Sequence, residues 1–331
     1  MYAVGMLLRN SILSLKLLRL PMMLGSKTTG SFRLKAGKIW IKSIPYVFIM
    51  PFGILFLLFF IAPIMYAFYS SLFVVKHSGL GLSAPVTVFN GLFNLNQAFH
   101  DPLFYQSLGR MLLFGVVQVP IMLGLALFFA LLLDSVTIRL KNLFRMAFFV
   151  PYAIPGVIAA LLWGYLYNPQ LSPIVQFFHA IGWKSFDFLS QHAVLWSMAN
   201  IVTWEWTGYN MIIIYSALQA IPHELYEAAK IDGSNGFNIA RYIKIPLVAP
   251  AIVLSGLFSI IGTLQIFNEP STLQYITNSI TSSYTPNLYA YTAAFVTNQY
   301  NYAAALAVLL AIATFIFSFG LLRITTRQTG E

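Results

Sequence analysis

The sequence predicts an all-α polytopic membrane protein with six transmembrane helices, and three observations carry the prediction. The 331 residues are 59% hydrophobic and only 8% charged, where an ordinary soluble domain carries roughly a quarter charged residues. Too little charge is present to cover a water-facing surface. Several apolar runs of about 20 residues contain almost no ionisable group, long enough to cross a hydrocarbon core of roughly 30 Å at 1.5 Å per helical residue. Finally, the basic residues fall between these runs, and mostly on one side of them.

The runs place six spans at 44–72, 111–133, 143–167, 193–218, 246–267 and 302–322. Before the first span stand Arg9, Lys16, Arg19, Lys27, Arg33, Lys35, Lys38 and Lys42, between spans two and three Arg139, Lys141 and Arg145, between four and five Lys230, Arg241 and Lys244, and after six Arg323 and Arg327. Only Lys76, Arg110 and Lys184 fall on the opposite side, a split of sixteen to three. Short loops rich in Lys and Arg stay in the cytoplasm, so both termini are expected there. Attraction to anionic membrane lipid then accounts for the net charge of +10, each cation being worth on the order of 1 kcal/mol near the surface. No nucleic-acid partner is needed.

Residues 1–43 form a basic cytoplasmic segment. Its first 24 residues alternate apolar clusters with Arg9, Lys16 and Arg19, a pattern open to an interfacial amphipathic helix, a disordered tail or a start assigned too early. Basic residues interrupt the apolar run, which argues against a cleaved signal peptide. The six-helix domain covers 44–325, and 326–331 are a cytoplasmic tail. Two long outer loops, 74–106 and 268–301, either meet an external protein or simply join helices. Span three is interrupted by Pro151, Pro155 and Gly156, which free backbone carbonyls and leave either a gating kink or a static bend.

An ionisable group within a span costs at least about 2.5 kcal/mol at its centre, so each needs a reason. Glu205 is the one that sits clearly mid-span. With Trp206, Tyr209 and Asn210 beside it, the set suits stacking on sugar rings and binding hydroxyls; the plainer alternative is a helix-packing carboxyl. Span five carries Ser255, Ser259 and Thr263 at helical i, i+4, i+8 spacing, a polar stripe that lines a pathway or packs helices together. No cysteine is present, and the five histidines show no paired ligand spacing, so no metal and no catalytic residue is assigned. Gly30 to Gly37-Lys38-Ile39 lacks the phosphate-loop spacing and its Ser or Thr, and His223-Glu224 lacks the second histidine of a zinc protease helix.

The cytoplasmic connection 219–246 has the most ordered grammar. Pro222 suits a first helical turn, Glu224 and Glu227 complement the positive helix end, and Gly233 suits a left-handed stop. A helix of about ten residues is expected, then a sharp turn and a second helix through Phe237, Ala240 and Ile243 into span five. Ala228 and Ala229 allow close backbone approach by another protein. The plainer alternative is a hairpin lying on the bilayer.

Glu227-Ala228-Ala229, three residues, Gly233, nine residues, then Ile243-x-Ile245-Pro246 resembles the signature loop of binding-protein-dependent ABC importer permeases. Leu218-Gln219-Ala220-Ile221-Pro222, Glu224-Leu225-Tyr226 and Ile231-Asp232-Gly233 are similar to the extended form of the carbohydrate-uptake branch, the maltose and glycerol-phosphate type. Arg145, Phe149 and Pro151 opening span three, Trp163 and Asn168-Pro169 closing it, and Tyr302-Ala-Ala-Ala-Leu306 extend the resemblance over about 44–325. The family usually has Gln at Asn238, often Phe at Ala240, and a Gly-rich stretch where Asn268-Glu269-Pro270-Ser271-Thr272-Leu273 stands.

The resemblance implies a type I ABC importer permease fold in the bacterial cytoplasmic (inner) membrane. A second, related permease subunit completes the pathway, two cytoplasmic ATPase subunits dock on the signature loops, and an extracytoplasmic binding protein delivers a sugar or oligosaccharide. It assigns Glu224, Glu227, Ala228, Ala229, Asp232, Gly233 and Pro246 to ATPase coupling, and supports Glu205, Trp206, Tyr209, Asn210, Ser255, Ser259 and Thr263 as pathway residues. ATP and Mg are then held by the ATPase partners, with no cofactor on this chain. The competing classes are an ion-coupled secondary transporter, which commonly shows half-chain repeats and several intramembrane acids, and an intramembrane enzyme, for which no catalytic constellation lies within the spans.

Overall fold

A computed structural model describes residues 45–76, 85–135, 140–182 and 186–328. The expectations for the N-terminal segment, and for the last three residues, lie outside these. The chain divides into two compact units, Met1–Pro63 and Ile64–Glu331. The division falls within the first helix, α1 (Pro45–Ser71).

In the first unit, Phe52 stacks on Phe56 and Phe56 on Phe60, at centroid distances of 5.9 and 5.5 Å, as i, i+4 neighbours on one helix face must. A single wide turn at Leu57–Ile61 interrupts the regular ladder.

The second unit begins with the end of α1 and a short hairpin that the sequence pattern did not reveal. Strand β1 (Phe73–Lys76) pairs antiparallel with β2 (Val86–Phe89), Phe73 opposite Phe89. Then follow α2 (Phe93–Phe99), α3 (Pro102–Asp134), α4 (Lys141–Phe149), α5 (Gly156–Tyr167), α6 (Pro173–Ala180), α7 (Val194–Gln219), α8 (His223–Ile231), the single turn α9 (Gly236–Ile239), α10 (Ile245–Leu264), α11 (Asn268–Leu273), α12 (Pro286–Tyr291) and α13 (Tyr300–Gln328).

Six long helical stretches stand where the apolar runs place them. Helices α1, α3, α10 and α13 are each long and apolar enough to cross a membrane, and α4 and α5 form a fifth such stretch bent by 96°. Helix α7 has the length, 26 residues, but carries Glu205, Asn200 and Asn210 and is correspondingly less apolar. The bend in span three falls where Pro151, Pro155 and Gly156 stand: a 3-10 turn (Val150–Ala153) closes α4 and Pro155 precedes the first residue of α5. Proline lacks the N–H that would continue the ladder.

Helix α3 packs most extensively on α7, and α10 lies against both. Met111, Phe114, Met198, Ile201, Leu264 and Leu273 form the central buried cluster, and Ala126, Ala130, Met211, Ile214, Leu218 and Val248 a second towards the 219–246 end. At the opposite end Asp101 caps α3. Its carboxylate accepts hydrogen bonds from Leu103 N at 2.8 Å, Tyr289 Oη at 2.5 Å and Tyr302 Oη, binding together the starts of α3, α12 and α13.

Candidate functional site

Between α3, α7 and α10 lies a cavity of about 480 Å³. Its wall holds Trp206, Tyr209 and Asn210 of α7 and Ser255, Ser259 and Thr263 of α10, so the two polar and aromatic patches that the sequence marks on separate spans face one space. The i, i+4 spacing of each patch made this possible; the packing of α10 against α7 achieves it. The Ser255 hydroxyl is buried without a hydrogen-bond partner, whereas that of Ser259 donates to Ser255 O at 2.8 Å. Asn210 Nδ2 donates to Trp206 O at 3.0 Å, leaving its amide oxygen for other partners.

Glu205 is not on the wall. It lies behind it, 4% exposed, with Oε2 unpartnered and its carboxyl against that of Glu269. Glu269 does reach the wall and is itself 6% exposed. Three further wall residues escape a reading of the sequence. Gln118 comes from α3 and donates to Thr203 Oγ1 at 3.3 Å. Tyr152 comes from the break in span three, stacks on Tyr209 at 4.7 Å and meets Trp206 edge-on at 5.2 Å. Phe267 stands where the chain breaks between α10 and α11. Each is brought to the cavity by tertiary packing or a helix break, which no periodicity encodes; the departure at 268–273 was the one available clue to Glu269.

The second feature is the 219–246 loop. Helix α8 spans nine residues, close to the expected ten, with Pro222 just before its first turn rather than in it. Gly233 ends it at φ +82°. Ser234 N donates to Ala229 O at 2.9 Å and Gly233 N to Lys230 O at 3.0 Å, the paired bonds of a Schellman stop. Asn235 then caps the next helix through Asn238 N at 2.8 Å, and α9 runs on through a wide turn into α10. Glu224, Glu227, Ala228, Asp232, Gly233 and Pro246 are exposed, whereas Ala229 is buried against its own chain. Beneath the loop Lys244 pairs with Asp134 at the end of α3, Gln219 Nε2 donates to Asp134 at 2.7 Å, and the Lys244 ammonium lies 4.9 Å from the Tyr226 ring centre.

The family described as binding-protein-dependent transport system inner membrane component matches residues 122–328, which takes in the cavity helices α7 and α10 and the whole loop. The chain belongs to this family. It is a transport component, a permease of an inner-membrane system, and not an enzyme.

Among relatives of this permease, the lactose transport system permease protein LacF of Rhizobium radiobacter is 32% identical over 83% of this chain and 91% of its own length. The arabinooligosaccharides transport system permease protein AraP of Bacillus subtilis (strain 168) is 27% identical over 88% and 91%. A chain in the crystal structure of a bacterial alginate ABC transporter, in complex with an alginate pentasaccharide-bound periplasmic protein, shares the fold. It is 18% identical, with a TM-score of 0.74 over 89% of this permease and 98% of that chain.

Proposed function

We propose that this permease passes a sugar or oligosaccharide into the cell, delivered by an extracytoplasmic binding protein and driven by ATP that separate subunits hydrolyse. The observation that carries this reading is the cavity walled by Trp206, Tyr209, Asn210, Ser255, Ser259 and Thr263. Flat aromatic faces stack on the apolar faces of pyranose rings, and amide and hydroxyl groups exchange hydrogen bonds with sugar hydroxyls. The lactose and arabinooligosaccharide permeases among its relatives support the same solute class.

The remaining parts follow from the permease reading. Residues 44–325 act as one six-helix domain with both termini in the cytoplasm. A second, related permease supplies the facing half of the pathway. Two cytoplasmic ATPase subunits, holding ATP and Mg, grip the loop through Glu224, Glu227, Ala228, Asp232 and Gly233, while Ala229 and Pro246 set its shape. Glu205 supports the pathway wall from behind through Glu269.

The decisive experiment is uptake into proteoliposomes containing the complete transporter. Transport of a labelled sugar should require both internal ATP and the external binding protein, and Trp206→Ala should reduce it by about fivefold, the loss of one stacked aromatic being worth about 1 kcal/mol. Uptake that persists without ATP and follows an ion gradient would replace this reading with the secondary-transporter one.

A further inference from the structure

The charge on the cavity wall bears on which carbohydrates pass, an inference that rests on the sugar-permease reading. Among the described wall residues there is no Lys, Arg or His, and the one ionisable carboxyl is Glu269. Glu269 Oε1 lies 3.3 Å from where a Cβ on Gly156 would stand. That places it at the first turn of α5, a helix whose N-terminus no side chain caps. A carboxyl of the protein thus already lies beside that helix end, whose partial positive charge is the feature best able to hold an anion. Glu205 backs Glu269 with a second buried carboxyl whose Oε2 has no partner.

Arg110 on α3 and Lys244 just before α10, the basic groups carried by two of the wall helices and their approaches, are engaged elsewhere. Arg110 donates to Tyr284 O at 2.6 Å and lies over the Tyr284 ring, and Lys244 is paired with Asp134 at the loop end. On this chain's side of the pathway an anionic solute would thus meet repulsion from an ionised Glu269, or a wall without counter-charge were Glu269 neutral. Both are unfavourable relative to an uncharged solute. Uncharged hydroxyls, by contrast, find the half-buried Ser259 hydroxyl, whose oxygen can accept, and the amides of Asn210 and Gln118 on the wall.

We propose that this permease passes uncharged glycosides and discriminates against sugars bearing carboxylate, sulfate or phosphate, with Glu269 as a specificity-determining residue of the cavity itself. The binding protein imposes its own selectivity, so the test omits it. The complete transporter in lipid nanodiscs is titrated with a panel of neutral disaccharides and with counterparts in which one hydroxymethyl group is oxidised to a carboxylate, binding being followed by tryptophan fluorescence. At least one neutral sugar should quench saturably, and its acidic counterpart should bind more weakly by at least about tenfold. Glu269→Gln should narrow that gap, the ratio of the two affinities within the variant being the quantity compared. An acidic sugar binding the wild type as tightly as the neutral one would overturn the inference while leaving the sugar-permease reading intact. A gap unchanged in Glu269→Gln would remove Glu269 as its determinant, and failure of every carbohydrate to quench would overturn the sugar reading as well. The wild-type comparison decides the charge preference even if the variant does not fold.

Discussion

Gly208 on α7 shows how one atom governs the cavity. A Cβ there would lie 1.8 Å from Phe148 O, so the absence of a side chain is what lets the opening of span three close onto span four and deliver Tyr152 to Tyr209. Gly208→Ala must push two backbones apart. Overpacking of even flexible side chains costs 1–3 kcal/mol, and a rigid carbonyl yields less, so a loss of roughly 3 kcal/mol is expected, read as a markedly lower melting temperature of the purified protein. An unchanged melting temperature would mean the contact is not tight. Asp101 offers a different test. Burial pushes its carboxyl up, but the hydrogen bonds from Tyr289, Tyr302 and the Leu103 and Phe104 amides prevail and hold it below the ordinary carboxylate value. A depressed folded-state pKa contributes stability above the unfolded value, near 3.9, and loses it as pH falls through the folded value. The wild type should therefore lose stability in acid faster than Asp101→Asn, whose side chain cannot titrate, with the difference confined below about pH 4. Parallel acid-unfolding curves for the two proteins would count against the assignment. At this scale the sequence was partly legible. Glu205 stood out because a lone acid in an apolar run is conspicuous, whereas Glu269 sits in a polar stretch where an acid attracts no notice, and only the fold makes it a wall residue.

Among the elements, the 219–246 loop was the most legible, because its cues are local: a proline before α8, glutamates on its first turns and a glycine at φ +82°. What local cues did not give is the anchorage beneath it. Asp134, Gln219 and Lys244 are far apart in sequence and join the ends of α3, α7 and the run into α10. The exposed face of α8 is thereby tied to the helices that wall the cavity through an ion pair and a hydrogen bond and not through loop backbone alone. The Asp134 and Lys244 side chains are largely buried, and removing one partner of such a pair leaves an uncompensated charge. Asp134→Asn should cost about 2–3 kcal/mol of stability, somewhat below the fully buried case, and Asp134→Asn combined with Lys244→Met should recover part of it. A double variant no more stable than the single one would show that the pair contributes nothing. The glycine stop behaves differently. A Cβ at Gly233 meets nothing within 4 Å, so Gly233→Leu bears only the backbone penalty, roughly 1–2 kcal/mol, and membrane insertion should be normal. Sugar uptake should nonetheless be abolished, since the side chain projects from the face assigned to the ATPase; retained uptake would argue strongly against the coupling role.

The whole molecule was legible to the extent that membranes constrain chains. Span length follows from hydrocarbon thickness, which is why six helices lie where six apolar runs predict them, and α7 departs in composition because polar groups needed at a cavity dilute its hydropathy. The end-to-end arrangement was less legible: the hairpin, α2 and α11 to α12 depend on contacts between distant segments. Orientation rests on the sixteen-to-three split of cations, and the native chain makes it directly testable because it contains no cysteine. Ile231 in the loop is 86% exposed and Tyr275 beyond α11 is 85% exposed. The 20 residues of α10 lie between them, about 30 Å of helix and hence a full hydrocarbon core apart. In intact cells a membrane-impermeant maleimide should label Tyr275→Cys at once and Ile231→Cys only after the membrane is opened. Labelling in the reverse order would place the loop outside, where no ATPase can reach it, and labelling of both in intact cells would mean that α10 does not cross the bilayer.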